Sequence, residues 1–432
     1  MLAGAPRVGA LLELAQARDV PMDGVWVVGG VVRDALLGAE PTGIGGADID
    51  LVVAGDGRSF ARRLASATDG DVVAEHDFGT ATVLVPLRQP FGVTRVDVAS
   101  ARTETYAAPG ALPQVALGAS VSQDAARRDV TVNAVAVALV AGSDGTHEVV
   151  DPCGGIADIA ARRLRVLHDR SFVDDPTRIF RVARYAGRLG FTVDTATRDL
   201  VLAAVQEGAL ATISAQRLRT ELDLVLTEPA WASLTLLGSW GVLDQLEPRL
   251  DAIFHPPLLI RALDDACDGD PGLNVRAGTL RLAALALGLG DDVEQWLRWL
   301  GYDGAVVAEV LDHVHVLRAV LERGTELRSM RNSELYVELG EPREESIALV
   351  ALAMADDDVE LVQRLVDFTQ AARDARLTVR GDDVVAAGVP AGPRVGQILG
   401  ALFLRTLDGE LRSEDDERRA LAELVARGDE GH

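Results

Sequence analysis

The sequence predicts an α/β N-terminal region followed by an all-helical remainder. Two observations carry this. Up to about residue 150, short β-rich apolar runs alternate with helical patterns, and from Pro176 onward nearly every apolar segment repeats with 3.6-residue spacing. In the first region Val25–Val28 ends at Gly29-Gly30 and passes into a helical pattern over Val31–Leu37. Ile49–Val53, a helical Arg58–Ala67, and the β-rich stretches Asp71–Ala74, Thr80–Val85 and Thr94–Val98 follow. The apolar run 131–140 (TVNAVAVALV) fits either a strand or a buried helix, because periodicity does not separate the two in so short a run. Leu164–Leu167 reads as a short strand. Asp174-Asp175-Pro176 then supplies an acidic cap with Pro near the first turn, a good helix start. Ten further segments, from 177–189 to 414–427, carry helical spacing, with breaks expected at 266–273, 289–292 and 388–393.

The chain has 432 residues, 48% of them hydrophobic, enough for two or three compact domains. Its apolar runs fall short of the ~18 residues that a membrane span needs, and residues 1–20 lack the order of a signal peptide. Cys153 and Cys267 stand far apart without CxxC or His spacing, which argues against a disulfide framework or a zinc site and fits a reducing cytoplasm. Net charge is −24, and every basic residue is Arg. Residues 1–228 hold 29 acids against 22 Arg, a net −7; residues 229–432 hold 37 against 20, a net −17. A broad basic surface for nucleic acid is therefore excluded. Local Arg clusters, able to bond phosphate bidentately, are not.

Three constellations carry chemistry. In the first, Gly29-Gly30-Val31-Val32-Arg33-Asp34 is followed by Asp48-Ile49-Asp50. Two glycines between a strand and a helix let backbone approach a triphosphate, and the helix N-terminus adds N–H donors and positive dipole. Arg33, in the first turn, is in reach of the same phosphates. Asp48 and Asp50, two apart on a strand, point to one face and offer hard oxygen ligands suited to two Mg2+ ions. Asp97, between Val96 and Val98, is the candidate third carboxylate; the alternative is the polar side of an amphipathic strand. In the second, Arg127-Arg128-Asp129-Val130-Thr131-Val132-Asn133 offers Arg for phosphates, with Asp129 and Asn133 to fix a ribose or an Arg. In the third, Asp175 and Arg178 lie three apart at a helix start. They form either an ordinary salt bridge or a pair that reads the amine and ring nitrogen of adenine or cytosine; uracil and guanine present a carbonyl where the amine stands. His313 and His315 read as helix-surface histidines.

Taken in order and spacing, GGVVRDALLG…DID, RRDVTVNA and DDPTRIFR resemble the class II tRNA nucleotidyltransferase/poly(A) polymerase family. The likeness covers most of 25–228 and continues in Asp151-Pro152-Cys153-Gly154-Gly155, Arg184-Tyr185 and Gly190-Phe191. The resemblance implies a polymerase-β-like head with a mixed sheet over 1–150, a helical neck over 151–228, a helical body over 229–376 and a helical tail over 377–432. It also implies tRNA as partner, ATP and CTP as substrates, and Mg2+. By this similarity Asp48 and Asp50 bind metal, Gly29, Gly30 and Arg33 the triphosphate, Arg128 and Asp129 the nucleotide, and Asp175 and Arg178 the base edge. Arg217 and Glu221 fall where the family has ERxxxE and would orient that pair. The chain departs from the pattern at Gln216 and Asp174, which replace Glu, and at Val130 and Cys153, which replace Phe. The stretch AEPTGIGGA before Asp48 is about five residues longer than the pattern. The expected function is addition of the 3′-terminal CCA, or only its terminal A, to tRNA. The segment Ala101–Val115 resembles members that add A alone. The alternative is a bacterial poly(A) polymerase, against which the acidic C-terminus argues.

Overall fold

The computed structural model describes residues 4–38, 48–247, 249–250, 257–269, 271–354 and 358–429. The lengthened stretch before Asp48 thus lies outside the described residues. Two compact units are resolved, Met1–Asp251 and Ala252–His432.

The first unit is built on a seven-stranded mixed sheet. In chain order its elements are α1 (Pro6–Ala17), β1 (Val25–Val28), α2 (Gly30–Leu37), β2 (Ile49–Val53), α3 (Gly57–Thr68), β3 (Asp71–His76), β4 (Thr80–Pro86) and β5 (Val93–Ser100). A separate hairpin, β6 (Arg102–Thr105) and β7 (Gln114–Leu117), precedes α4 (Val121–Ala126), β8 (Ala136–Ala141) and β9 (His147–Val150). The strand order is β3-β4-β5-β2-β1-β8-β9, with β2 and β5 parallel and the other pairs antiparallel. The ambiguous run 131–140 resolves into one turn of 3-10 helix, Thr131–Asn133, and then β8, a strand between β1 and β9.

Burial follows the pattern of each element. In α3 the buried residues Phe60, Ala61, Leu64, Ala65 and Thr68 recur at helical spacing and face β4 and β5. Asp56 caps the helix by accepting from the Arg58 and Ser59 amides at 3.0 and 3.2 Å. Phe60 is fully buried, a contribution of roughly 1.5–3 kcal/mol. In β5 the alternation buries Thr94, Val96 and Val98 and leaves Arg95 and Asp97 on the open face.

The chain then turns helical. After α5 (Gly155–Ala160) and α6 (Ser171–Asp174), α7 (Thr177–Leu189) packs on α9 (Ala215–Thr227) and α10 (Trp231–Ser239), with α8 (Thr195–Gln206) between α7 and α9 in sequence. Ile179, Phe180, Val182, Ala183 and Ala186 bury one face of α7, and Gly190 ends it at φ 62.

The second unit is helical throughout its described residues, from Pro257–Gly269 to Glu414–Asp429. The break expected over 266–273 is narrower than the sequence suggested: helices Pro257–Gly269 and Pro271–Ala286 cover all but one of those positions. His313 corrects an expectation. It is 1% exposed, with Nδ1 2.7 Å from Ser346 Oγ, so it belongs to the core of this unit; His315 is exposed as expected. One face of the long helix Gly304–Ser329 is apolar enough to draw His313 inside, where a hydroxyl satisfies it. No helix among the described residues is long and apolar enough to cross a membrane.

Candidate active site

A cleft of about 450 Å³ in the first unit brings most of the three constellations together. Gly29, Gly30, Asp50, Arg128, Asp129, Asn133, Asp175, Arg178 and Glu221 all line it. The sequence separates these residues by up to 192 positions; the sheet and α7 bring them to one place.

At one end, the β1–α2 turn passes directly over β2. Gly29 has φ 76, and a Cβ there would stand 3.2 Å from Asp50 Oδ2 and 3.8 Å from Arg128 Nη1. A side chain would therefore crowd the carboxylate and strain the backbone at once. Parallel pairing of β2 with β5 sets Asp50 directly beside Asp97. Asp48 precedes β2 by one residue. Asp97 is held on both oxygens: Thr82 Oγ1 donates to Oδ1 at 2.5 Å and Arg95 Nε to Oδ2 at 3.0 Å. The same Arg95 Nε is 3.8 Å from Asp48 Oδ2.

The electrostatics of this end are unbalanced. Asp50 lies on the exposed face of β2, yet the protein crowded around its carboxyl pushes it up to about 6, chiefly by desolvation. Repulsion from Asp97 and Asp48 adds to the rise, and Arg128 only partly offsets it. Asp48 is raised as well, by desolvation and by Asp97, against the pull of Arg95 and Arg7. Three carboxylates whose mutual repulsion Arg95 and Arg128 offset only in part are a donor set suited to a hard divalent cation. Among the described residues, no three His, Cys, Asp or Glu side chains are already gathered closely enough to form a metal cluster.

The other end is balanced. Asp129 is 8% exposed. It accepts from Arg181 Nε and Nη2 at 2.9 and 2.6 Å, from Tyr185 Oη at 3.1 Å and from the Val130 amide at 2.8 Å. Burial alone would raise its carboxyl, but the Arg181 charge and these hydrogen bonds hold it far below the usual carboxylate range. Asn133 bridges Asp129 to Arg33, accepting from Arg33 Nη1 at 2.8 Å.

Arg33 is placed differently from its expected reach to phosphates. It is 3% exposed, bonded to Asp34 and Asn133, and tucked beneath Gly30, so it braces the glycine turn from behind. Arg128 faces the cleft, anchored by Asp124 at 3.0 Å.

Asp175 and Arg178 do not pair with each other. Asp175 Oδ1 takes the Thr177 hydroxyl at 2.7 Å and Arg217 Nη2 at 2.8 Å. Arg178 donates to Ser171 Oγ at 3.0 Å, the Arg127 carbonyl at 3.0 Å and Tyr106 Oη at 3.4 Å. The i,i+3 salt bridge that the spacing allows is not made. Arg217 stands behind the cleft and also donates to the Gly110 carbonyl at 2.7 Å, tying the β6–β7 loop to α9. Gly110 has φ 68, and a Cβ there would meet Thr212 Oγ1 at 2.0 Å, so this contact admits only glycine. Glu221 lines the cleft with Oε2 unpartnered, and desolvation raises its carboxyl.

Sequence reasoning missed Arg181, Tyr185, Tyr106 and Glu104, all of which line the cleft. A signal for the first two was present: Arg178, Arg181 and Tyr185 follow helical spacing along α7, opposite the apolar face of Ile179, Phe180, Val182, Ala183 and Ala186. Tyr106 and Glu104 arrive on a hairpin that the sequence did not announce.

Residues 25–165 match the family model described as the poly A polymerase head domain. An A-adding tRNA nucleotidyltransferase of Geobacter sulfurreducens is 33% identical over 97% of this chain, although the chain spans only 47% of that relative's length. For a similar A-adding relative of Aquifex aeolicus the share is 25%. A CC-adding tRNA nucleotidyltransferase of Deinococcus radiodurans is 31% identical over 96% of this chain and 93% of its own length. Among solved structures, a CCA-adding enzyme in complex with ATP superposes with a TM-score of 0.71 at 26% identity, covering 98% of this chain and 95% of the other. The glycine turn over Asp50, the carboxylates on adjoining strands and the start of α7, with Asp175 just before it and Arg178 in its first turn, thus sit in a chain that belongs to the tRNA nucleotidyltransferase/poly(A) polymerase family.

Proposed function

We propose that this chain transfers nucleotides from ATP or CTP to the 3′ end of tRNA, completing the CCA end or adding its terminal A. The observation that carries the reading is the single cleft lined by Gly29, Gly30, Asp50 and Arg128 at one end and by Asp175 and Arg178 at the other. That span suits a nucleoside triphosphate, with phosphates at the glycine turn and base at α7.

Asp48, Asp50 and Asp97 would hold Mg2+, which when bound supplies charge stabilisation to the attacking and leaving oxygens. The chain's own residues do the rest. The N-terminus of α2 and the Gly29–Gly30 backbone accept the phosphates, with Arg128 as the facing cation. Asp175 Oδ2 accepts from an exocyclic amine, while Arg178 donates to the neighbouring ring nitrogen, the order that adenine and cytosine present. Arg217 and Thr177 fix Asp175, and Ser171 and the Arg127 carbonyl fix Arg178, so the pair meets the base already oriented. Relatives of both the A-adding and the CC-adding kind support tRNA as the acceptor.

The test is an extension assay with purified protein and tRNA ending before CCA, after C, or after CC, each with single nucleotides, and with a non-tRNA oligoribonucleotide as the fourth acceptor. Extension of the tRNA acceptors with ATP or CTP alone is expected. Activity confined to the non-tRNA oligonucleotide would replace this reading with poly(A) synthesis. Extension by GTP and UTP at equal rates would remove the base-reading assignment.

A further inference from the structure

Arg95 occupies an unusual position for a cation. It lies on the open face of β5 two residues before Asp97, and its Nε stands 3.0 Å from Asp97 Oδ2 and 3.8 Å from Asp48 Oδ2. Its guanidinium reaches Thr82 Oγ1 as well, at 3.3 Å, while Thr82 holds the second Asp97 oxygen. Both oxygens of Asp97 are thereby occupied, and one guanidinium neutralises two of the three carboxylates. Asp50, directly beside Asp97 in the sheet, feels Arg128 and Arg95 only as nearby charges. The Arg95 side chain is half-exposed, so it can swing outward without leaving a cavity.

We propose that Arg95 is an exchangeable internal cation that competes with the divalent metal for Asp97 and Asp48. The inference rests on the metal reading above. With no metal bound, Arg95 is the cation among the described residues that bonds Asp97 and stands within 4 Å of Asp48, and it takes the lone pairs that a metal would use. Metal loading therefore requires Arg95 to leave Asp97, and the chain's affinity for metal is lower than its three carboxylates would otherwise give. Arg95 is a positioning residue: it fixes Asp97 when no metal is bound and yields it on loading.

The test is direct binding of Mn2+ to the full chain, without nucleotide or RNA, followed by electron paramagnetic resonance of the free ion. Arg95→Gln is compared with wild type, with Asp50→Asn as the variant lacking a ligand. Removing one competing charge at about 4 Å predicts Mn2+ binding at least about fivefold tighter in Arg95→Gln. Mn2+ should also raise the melting temperature of Arg95→Gln more than that of wild type. Arg95→Lys, which keeps the charge but loses the planar fork, should fall between them. Equal or weaker Mn2+ affinity in both Arg95 variants, with the folded circular dichroism spectrum retained, would overturn the proposal while leaving the metal reading intact. Absence of binding in wild type and variants alike would overturn the metal reading, and this proposal with it.

Discussion

The two ends of the cleft bury carboxylates in opposite ways. Around Asp50, desolvation and the nearby Asp48 and Asp97 push the carboxyl up to about 6, and no hydrogen bond relieves it. Asp129 is far more enclosed, yet its burial is more than offset by the charge and hydrogen bonds of Arg181 and by a backbone amide, and the carboxyl is driven down. The first arrangement leaves a negative charge to be met by something from outside. The second is satisfied within the protein. The proposed nucleotide transfer would use both: a place where cations arrive with substrate, and a frame against which the base is read.

The largest expected effect comes from removing charge at the unbalanced end. Asp50→Asn should lower nucleotide addition by about a thousandfold or more, since lost metal charge stabilisation is worth several kcal/mol. Its thermal stability should nevertheless match or slightly exceed that of wild type, because the carboxylate removed is one that folding disfavours. A parallel loss of stability, read by calorimetry, would break the comparison by showing that Asp50 is structural.

At the balanced end the consequence reverses. Asp129→Asn should destabilise the chain by about 1–3 kcal/mol, because it leaves Arg181, whose side chain is 35% exposed, without its counter-charge. The pH dependence has a definite sign. A carboxyl held below its ordinary value contributes stability that is present above about pH 4 and lost as pH falls through its folded value. The gap between wild type and Asp129→Asn in denaturant unfolding should therefore be largest near neutral pH and narrow below about pH 4. A gap that widened on acidification would contradict the assignment.

A smaller effect sharpens the same contrast. Arg178→Ala removes a donor already held by Ser171, the Arg127 carbonyl and Tyr106. Discrimination of ATP and CTP against GTP and UTP should relax by about tenfold to a hundredfold, the equivalent of one unmade charged hydrogen bond. Unchanged ratios with all four nucleotides would reduce Arg178 to a brace between the β6–β7 hairpin and α7.

The smallest expectation concerns salt. Arg33, Arg127, Arg181 and Arg217 already spend their donors on partners within the first unit. With those four committed inside the unit, RNA phosphates must be met by other arginines in local clusters, so tRNA affinity should fall only modestly between low and physiological salt, with a log–log slope magnitude below about 5. A slope near 10 would require many more phosphate contacts than these residues allow.

Much of the site was legible in the order of residues. Gly29–Gly30 after an apolar strand, Asp48 and Asp50 at a spacing of two, and Asp175 and Arg178 at a helix start are local signatures, because strand and helix periods fix which neighbours share a face. Asp97 was legible through its alternation with Val96 and Val98. The roles of Arg33 and Arg181 were not. Both are arginines in a helical turn near a motif, and nothing in sequence separates one that faces a cleft from one tucked beneath it. His313 shows the same limit, since a single histidine on an amphipathic helix goes inside or outside according to whether a partner such as Ser346 is waiting.

The sequence by itself determined the α/β-then-helical order, the glycine turn, the strand-borne carboxylates and the helix start at Asp175 and Arg178, because each depends on interactions within a few residues. Tertiary structure alone decided which charges are offset. The pairing of β2 with β5 sets Asp50 against Asp97, the approach of α7 gives Asp129 to Arg181, and the fold of β6–β7 brings Tyr106 to Arg178. Charge compensation acts through space over a few ångströms, between residues that the chain separates by dozens of positions, and only the packed fold sets those distances.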